Sequence, residues 1–351
     1  MRLGHSITLF AAALVAALAG TTSARAQDKE LVIVATGGIF EKALKEHFYE
    51  PFTRATGIAV HAVPASNAEQ WTKVKAMAAA NRLNWDIVTL YPEDMSTQEA
   101  ALATIDCDAF KDLKEQAVDN ACHPRGLLRT FGGGVLTYNT KAVPADGPKT
   151  WADFWNVEKY PGPRAFPNYG APWWVLMAAL QADGVPADKL YPLDLDRAFK
   201  KLDEIRPHVK VWWKTGDQSQ QIMRDGEVVM AMMWSGRAYS MIEQGQPLAV
   251  SWRGAPVNTA LWGVLKGAPH AAAAKAFLEF FVGRPEAHLA FSRQAAWDTV
   301  NRKALALMPE AERSHSGALP ANAEVMAKVD DVWVAQNRAT LLERWNVWLA
   351  K

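Results

Sequence analysis

The chain has 351 residues, half of them hydrophobic, with 15 tryptophans, 38 basic and 37 acidic side chains and a net charge of +1. The apolar content excludes a disordered chain, and balanced charge without a dense basic run argues against nucleic acid or an anionic membrane surface as partner. The length exceeds what one hydrophobic core usually supports, so two lobes are expected.

Met1-Arg2, an apolar run over residues 7–19 and small residues ending Ala24-Arg25-Ala26 describe a secretory signal peptide over 1–26, cleaved after Ala26. The run is too short for a retained span, and no later stretch approaches about 18 uninterrupted apolar residues. No cysteine stands near the signal to carry a lipid anchor. The mature chain from Gln27 is expected free in the periplasm, as a monomer.

From residue 30 the sequence alternates strand and helix. Residues 31–35 read as an apolar strand, and Thr36-Gly37-Gly38 turns it into a helix with Phe40, Ala43, Leu44, His47, Phe48 and Phe52 on one face, closed by Gly57. Residues 58–63 are the next strand, 67–81 the next helix and 85–90 the third strand, followed by Tyr91-Pro92-Glu93-Asp94 opening another helix. This βαβαβα order predicts a parallel sheet with right-handed crossovers. It sends the 36–40 and 91–94 loops off the same sheet edge. There the backbone after Gly37-Gly38 either holds a carboxylate or makes a plain tight turn.

Cys107 and Cys122 are the chain's two cysteines. In an exported protein such a pair predicts a disulfide tying a surface excursion over 108–126, with two free thiols as the alternative. Only His123 stands beside them and no C-x-x-C or H-E-x-x-H spacing occurs, so neither a metal nor another cofactor is expected.

Residues 131–139, FGGGVLTYN, read as a glycine-entered strand. Three adjacent glycines leading into a strand lack a dinucleotide pattern and suit a hinge or close backbone packing. Thr150 caps the helix WADFW. After a short strand at 164–167, Asn168-Tyr169-Gly170-Ala171-Pro172 leads into a helix with Trp173 and Trp174 in its first turn. A helix over 194–205, a strand over 209–213 ending at Trp213 and a short helix to Arg224 follow.

Residues 226–245 then give an apolar strand over 228–234, the turn Trp234-Ser235-Gly236-Arg237 and a helix over 238–244. In open α/β sheets ligands bind beyond the carboxyl ends of strands. Trp234 there offers an apolar wall, Gly236 a close backbone approach and Arg237 a cation; a core tryptophan beside a solvated arginine fits this turn, taken alone, equally well. Strands over 248–252 and 260–265, an alanine-rich helix over 270–282 and a largely helical remainder complete the chain.

Six stretches lie in order along the mature chain, FTRATGIAV at 52–60, WDIV at 85–88, YNT at 138–140, TWADFW at 150–155, MWSGR at 233–237 and GAP at 267–269, before the 274–281 helix. Together they resemble the periplasmic solute-binding proteins of ABC importers, in the polyamine-binding family that includes γ-aminobutyrate binders. The resemblance implies a type II periplasmic binding protein fold: two α/β lobes, each a mostly parallel sheet flanked by helices, with the ligand cleft between them. Lobe one would hold 27–134 plus 257–351, including the C-terminal helices, and lobe two 135–256. The crossings would fall near 133–138 and 253–260.

The ligand-facing positions expected on this basis are Gly37, Gly38, Phe40, Tyr91, Asn168, Tyr169, Trp173, Trp213, Trp234, Arg237 and Trp262, with no catalytic residue. Where polyamine binders grip ammonium groups with carboxylates, this sequence has Trp173 or Trp174 and Ala260. Where they have a tryptophan in the first loop it has Gly37, and where they carry a small residue after W-x-G it has Arg237. Losing anions and gaining a cation reverses the preferred ligand charge.

The expected solute is therefore small and amine- or carboxylate-bearing, an ω-amino acid such as γ-aminobutyrate being favoured, with a putrescine or spermidine receptor as the alternative. Glu93, Asp94 and Asp217 are candidates for a ligand amine. The expected protein partner is the permease of an ABC importer in the inner membrane. A periplasmic hydrolase is the rival from another class, but no G-x-S-x-G and no clustered histidines occur. A ferric-ion receptor would need an adjacent tyrosine pair that the sequence lacks.

Overall fold

A computed structural model describes residues 29–35 and 37–351; the expected signal peptide lies outside them. Among these residues ten strands follow in chain order: β1 (Glu30–Ala35), β2 (Ala59–Pro64), β3 (Ile87–Leu90), β4 (Cys122–His123), β5 (Gly126–Asn139), β6 (Arg164–Pro167), β7 (Val209–Trp213), β8 (Met230–Trp234), β9 (Leu248–Ser251) and β10 (Val257–Val264). Their order across the sheet is β2-β1-β3-β10-β5-β8-β6-β7, with β4 and β9 pairing β5 off that path.

The fold is the expected two-lobed α/β arrangement. At one end β2, β1 and β3 are parallel, and at the other β8, β6 and β7 are parallel. Between them β10 and β5 run antiparallel to their neighbours. The parallel character predicted from βαβ alternation thus holds outside, while the returning strands make the centre antiparallel.

Local chemistry sets the crossovers. Gly57, with φ +75°, ends the helix Glu50–Thr56 in the left-handed cap that glycine takes without penalty. The helix Asn67–Ala79 opens on a capping box, in which Ser66 and Glu69 each bond the other's backbone N–H. Asp86, wholly buried, accepts hydrogen bonds from the Val32 N–H (2.8 Å) and the His270 N–H (2.8 Å). One carboxylate therefore ties β1, the entry to β3 and the start of the helix Ala271–Val282, which gives the WDIV motif a structural reason.

Strand β5 belongs to both halves of the sheet. Its residues 127–128 and 130–133 pair β10 and its residues 134–138 pair β8, so the partner changes between Gly133 and Gly134. The three glycines serve close packing: a Cβ at Gly132 would stand 2.9 Å from Ser235 Oγ, at Gly133 2.6 Å from Met326 Cε, and at Gly134 2.8 Å from Trp174. The ladder also draws residues 257–259 into β10, so this strand begins three residues before the predicted 260.

Burial falls into separate apolar clusters. One packs Phe48, Phe52, Phe277 and Phe281 around β1 and β3. Another gathers Trp151, Phe154, Phe166 and Leu176 beside β6, and a third holds Trp213, Met223, Met233 and Met241. The C-terminal helix Asp331–Leu349 meets the short helix Asp94–Thr97 after β3. Its buried face of Val334, Leu341, Trp345 and Trp348 packs in the second of these clusters, because residues three and four apart share one side of a helix. Trp348 Nε1 donates to Asp203 Oδ1 at 2.7 Å. Cys107 and Cys122 are bonded, with Cα atoms 5.8 Å apart. No helix among the described residues is long and apolar enough to cross a membrane.

Candidate ligand-binding cleft

The carboxyl ends of β1, β3, β6 and β8 converge on a cleft of ≈ 680 Å³. It is lined by Gly37, Gly38, Ile39, Phe40, Tyr91, Arg129, Thr130, Tyr169, Asp217, Trp234, Arg237, Asn258, Ala260 and Trp297. Seven of the eleven positions named from the sequence are among these. Gly37 and Gly38 have φ of +76° and +69°, a pair of left-handed residues that makes the sharp exit from β1 and that side chains resist.

One wall is aromatic. Tyr169 stacks on Trp213 (5.6 Å between ring centroids) and meets Trp234 edge-on (5.1 Å), while Trp213 meets Trp234 at 5.4 Å. Burial pushes the Tyr169 phenol well above its usual range, so it stays protonated. At the end of this wall Arg237 stands in the first turn of the helix Ser235–Glu243. Its Nη1 lies 3.0 Å from Asp217 Oδ1 and 3.3 Å from Gln220 Oε1, and Gln220 Nε2 donates to the Arg237 carbonyl at 3.1 Å. Gly216 makes room for this arrangement: a Cβ there would stand 2.9 Å from both Arg237 Nε and the Trp234 ring. The Nε–H itself is buried and has no partner among the described residues.

Four expected positions are not on the cleft. Trp213 is fully buried behind Tyr169 and donates to the Met232 carbonyl at 2.9 Å. Trp262 is fully buried under Arg129. Asn168 accepts the Trp345 Nε1–H at 3.0 Å and so anchors the C-terminal helix. Trp173 lines a small neighbouring pocket shared with Tyr91, Glu93, Asp331 and Arg338. In each case the element was placed correctly, but the side chain is taken up by packing or by a partner distant in sequence.

The candidates for a ligand amine also separate. Asp94 is consumed internally, accepting from the Tyr91 N–H (2.9 Å), Asn67 Nδ2 (2.8 Å) and Trp71 Nε1 (3.1 Å). Glu93 faces the small pocket, where burial raises its pKa. Asp217 alone of the three lines the cleft, paired with Arg237. Among the described residues no group of three or more His, Cys, Asp or Glu side chains is placed to hold a metal.

Sequence reasoning missed Arg129. Only 5% exposed, it lies between the rings of Phe40 and Trp262, its guanidinium carbon 4.7 and 4.8 Å from their centroids. The available signal was a lone arginine inside the apolar run Leu127-Leu128-Arg129-Thr130-Phe131, a placement that needs a reason.

A family described as bacterial extracellular solute-binding protein matches residues 47–316. The chain is 32% identical over 341 residues, 95% of each chain, to a γ-aminobutyric acid-binding protein of Pseudomonas aeruginosa. A solved γ-aminobutyrate receptor superposes with a TM-score of 0.81 at 32% identity, covering 92% of this chain and 98% of that one. The PBP AttC of Agrobacterium tumefaciens, in an open unliganded conformation, superposes with a TM-score of 0.76 at 35% identity, covering 92% and 99%.

Proposed function

The chain belongs to the bacterial extracellular solute-binding proteins, and from that premise we propose that it serves an ABC importer in the periplasm, capturing a small carboxylate-bearing solute of the ω-amino acid class. The observation that carries this reading is Arg237, set at the end of an aromatic wall with its Nε–H unpartnered. A planar fork of donors in a low-dielectric cleft suits a carboxylate and repels an ammonium. The likeness to a γ-aminobutyric acid-binding protein over 95% of the chain supports the same ligand class.

In this reading lobe one comprises 27–134 with the return after 257, lobe two 135–256, and the C-terminal helix rides on lobe two. Closure about the 133–138 and 253–260 crossings buries the solute and presents the closed form to a permease in the inner membrane, since two-lobed receptors bend at a few connecting residues.

Calorimetry with γ-aminobutyrate and putrescine on the parent and on Arg237→Ala tests the reading. Loss of a charge-assisted contact to a buried carboxylate costs roughly 2–5 kcal/mol, about thirtyfold to several thousandfold in affinity. Tight putrescine binding that survives Arg237→Ala would restore a polyamine receptor.

A further inference from the structure

Successive residues of a strand point to opposite faces, yet Arg129 and Thr130 both line the cleft. The ladder explains how. Thr130 pairs Ala260 and Leu128 pairs Leu261, so the register passes over Arg129 and leaves it without a cross-strand partner. This is a β-bulge, the device by which a strand re-aims one side chain. Across from Thr130 the partner is only a methyl group, Ala260, which also lines the cleft.

The re-aimed guanidinium has its faces covered by Phe40 and Trp262, so its remaining recognition lies at the edge. Of that edge, among the described residues, Nη1 alone has a partner, Thr89 Oγ1 at 3.1 Å, and Nε is buried without one. Thr130 Oγ1 is likewise buried and has no partner among the described residues. Among the described residues no carboxylate lies within ion-pair distance of Arg129; the ionisable groups nearest to it in effect are the phenols of Tyr49 and Tyr91. A buried cation with unused donors beside a buried unused hydroxyl is costly when empty and complementary to an anion when filled.

We propose that Arg129 and Thr130 form a second anion subsite, so that the solute carries two acidic groups, one directed at each arginine. Within the carboxylate-bearing solutes of the reading above, the preferred ligand is then one with a second acid, an amino acid bearing a second carboxyl or a dicarboxylate. This rests on the cleft being a carboxylate site and sharpens what it selects. The cleft sets Arg129 and Arg237 against a single lining carboxylate, Asp217, a net charge of +1 that a zwitterionic ω-amino acid leaves in place and that an amino acid bearing a second acid neutralises.

The test measures dissociation constants by calorimetry for glutarate, glutamate, γ-aminobutyrate and putrescine on the full mature chain. The expected result is that at least one diacid binds about tenfold or more tightly than γ-aminobutyrate, and that Arg129→Met collapses that ratio toward unity. Thr130→Val, which removes the hydroxyl at similar volume, reduces the ratio less. Because Arg129 is buried, a second variant guards against misfolding: Ala260→Asp sets a carboxylate opposite Thr130 and should turn the preference away from diacids. Equal binding of γ-aminobutyrate and both diacids, or a ratio unchanged in Arg129→Met or in Ala260→Asp, overturns the second subsite while leaving a carboxylate receptor in place. Failure of every carboxylate in the panel to bind overturns both.

Discussion

The carbonyl oxygen of Ala296 occupies the space that a Cβ on Gly236 would need. Gly236 lies in the first turn of the helix Ser235–Glu243, and Ala296 follows the helix Pro285–Ala295 in a left-handed conformation. The missing methyl lets the segment that carries Arg237 rest directly on the segment that carries Trp297. Gly236→Ala must therefore part these two segments and widen the 6.3 Å separation of Trp234 and Trp297. Solute affinity is expected to fall about tenfold or more, ~1.4 kcal/mol, with the far-ultraviolet circular dichroism unchanged. Parent-like affinity in this variant would show that the close approach is dispensable.

Asp94 is predicted to matter for stability and not for ligand charge. Its three accepted hydrogen bonds join the helix Asn67–Ala79 to the turn after β3, and burial raises its pKa against their pull. Asp94→Ala leaves three donors without their acceptor, a loss of about 3 kcal/mol or more. Urea unfolding reads this directly. A variant as stable as the parent, but weaker for ligand, would move Asp94 back into the cleft.

Burial pushes the Asp298 carboxyl up to about 7, against the 2.9 Å bond it accepts from the Gly317 N–H. The native chain therefore holds this proton above 3.8, where the unfolded chain releases it. The contribution of Asp298 to stability is full at low pH and is lost as pH rises through about 7, with a slope of up to ~1.4 kcal/mol per pH unit. Asp331, raised to about 7 by burial and by Glu93, acts in the same direction. His288, lowered to about 4 by burial, acts oppositely below 6.5. Denaturant unfolding of the parent and of Asp298→Asn at about pH 5 and about pH 8 isolates the first group: the parent should lose more stability than the variant on going to the higher pH. Equal changes in both would refute the assignment.

The Cys107–Cys122 bond closes a separation of 15 residues, which in the chain-entropy model stabilises by about 3 kcal/mol. Cys107→Ser with Cys122→Ser is expected to lower the unfolding free energy by that order while leaving ligand affinity intact, since neither residue lines the cleft. Oxidised protein, denatured without reductant, should titrate no thiols.

The sequence was most legible where one local rule decides. Apolar runs gave β1 and β8, bounded by glycine, and β3, stopped at Tyr91-Pro92; Thr150 marked a helix start that is capped as expected, and the strand-end rule brought Gly37, Tyr91, Tyr169 and Trp234 to one cleft. It was less legible where a side chain is claimed by a residue far along the chain. Asn168 is held by Trp345, 177 positions away, and nothing near Trp213 announces that Met232 accepts its N–H. Arg129 is hidden for a related reason. Its direction depends on a register slip against β10, and period-2 reading would have sent it to the face opposite Thr130.

Trp234 and Trp297 both line the cleft, and behind the first stands Trp213, its ring centroid 5.4 Å from that of Trp234. An occupant displaces water from two indole rings that are already electronically close to each other and to a third. Emission from these rings is therefore expected to change when the cleft fills, over the signal of the remaining tryptophans. The protein carries its own optical gauge of occupancy, and Trp234→Phe and Trp297→Phe would divide that signal between the two sides of the cleft without any added label.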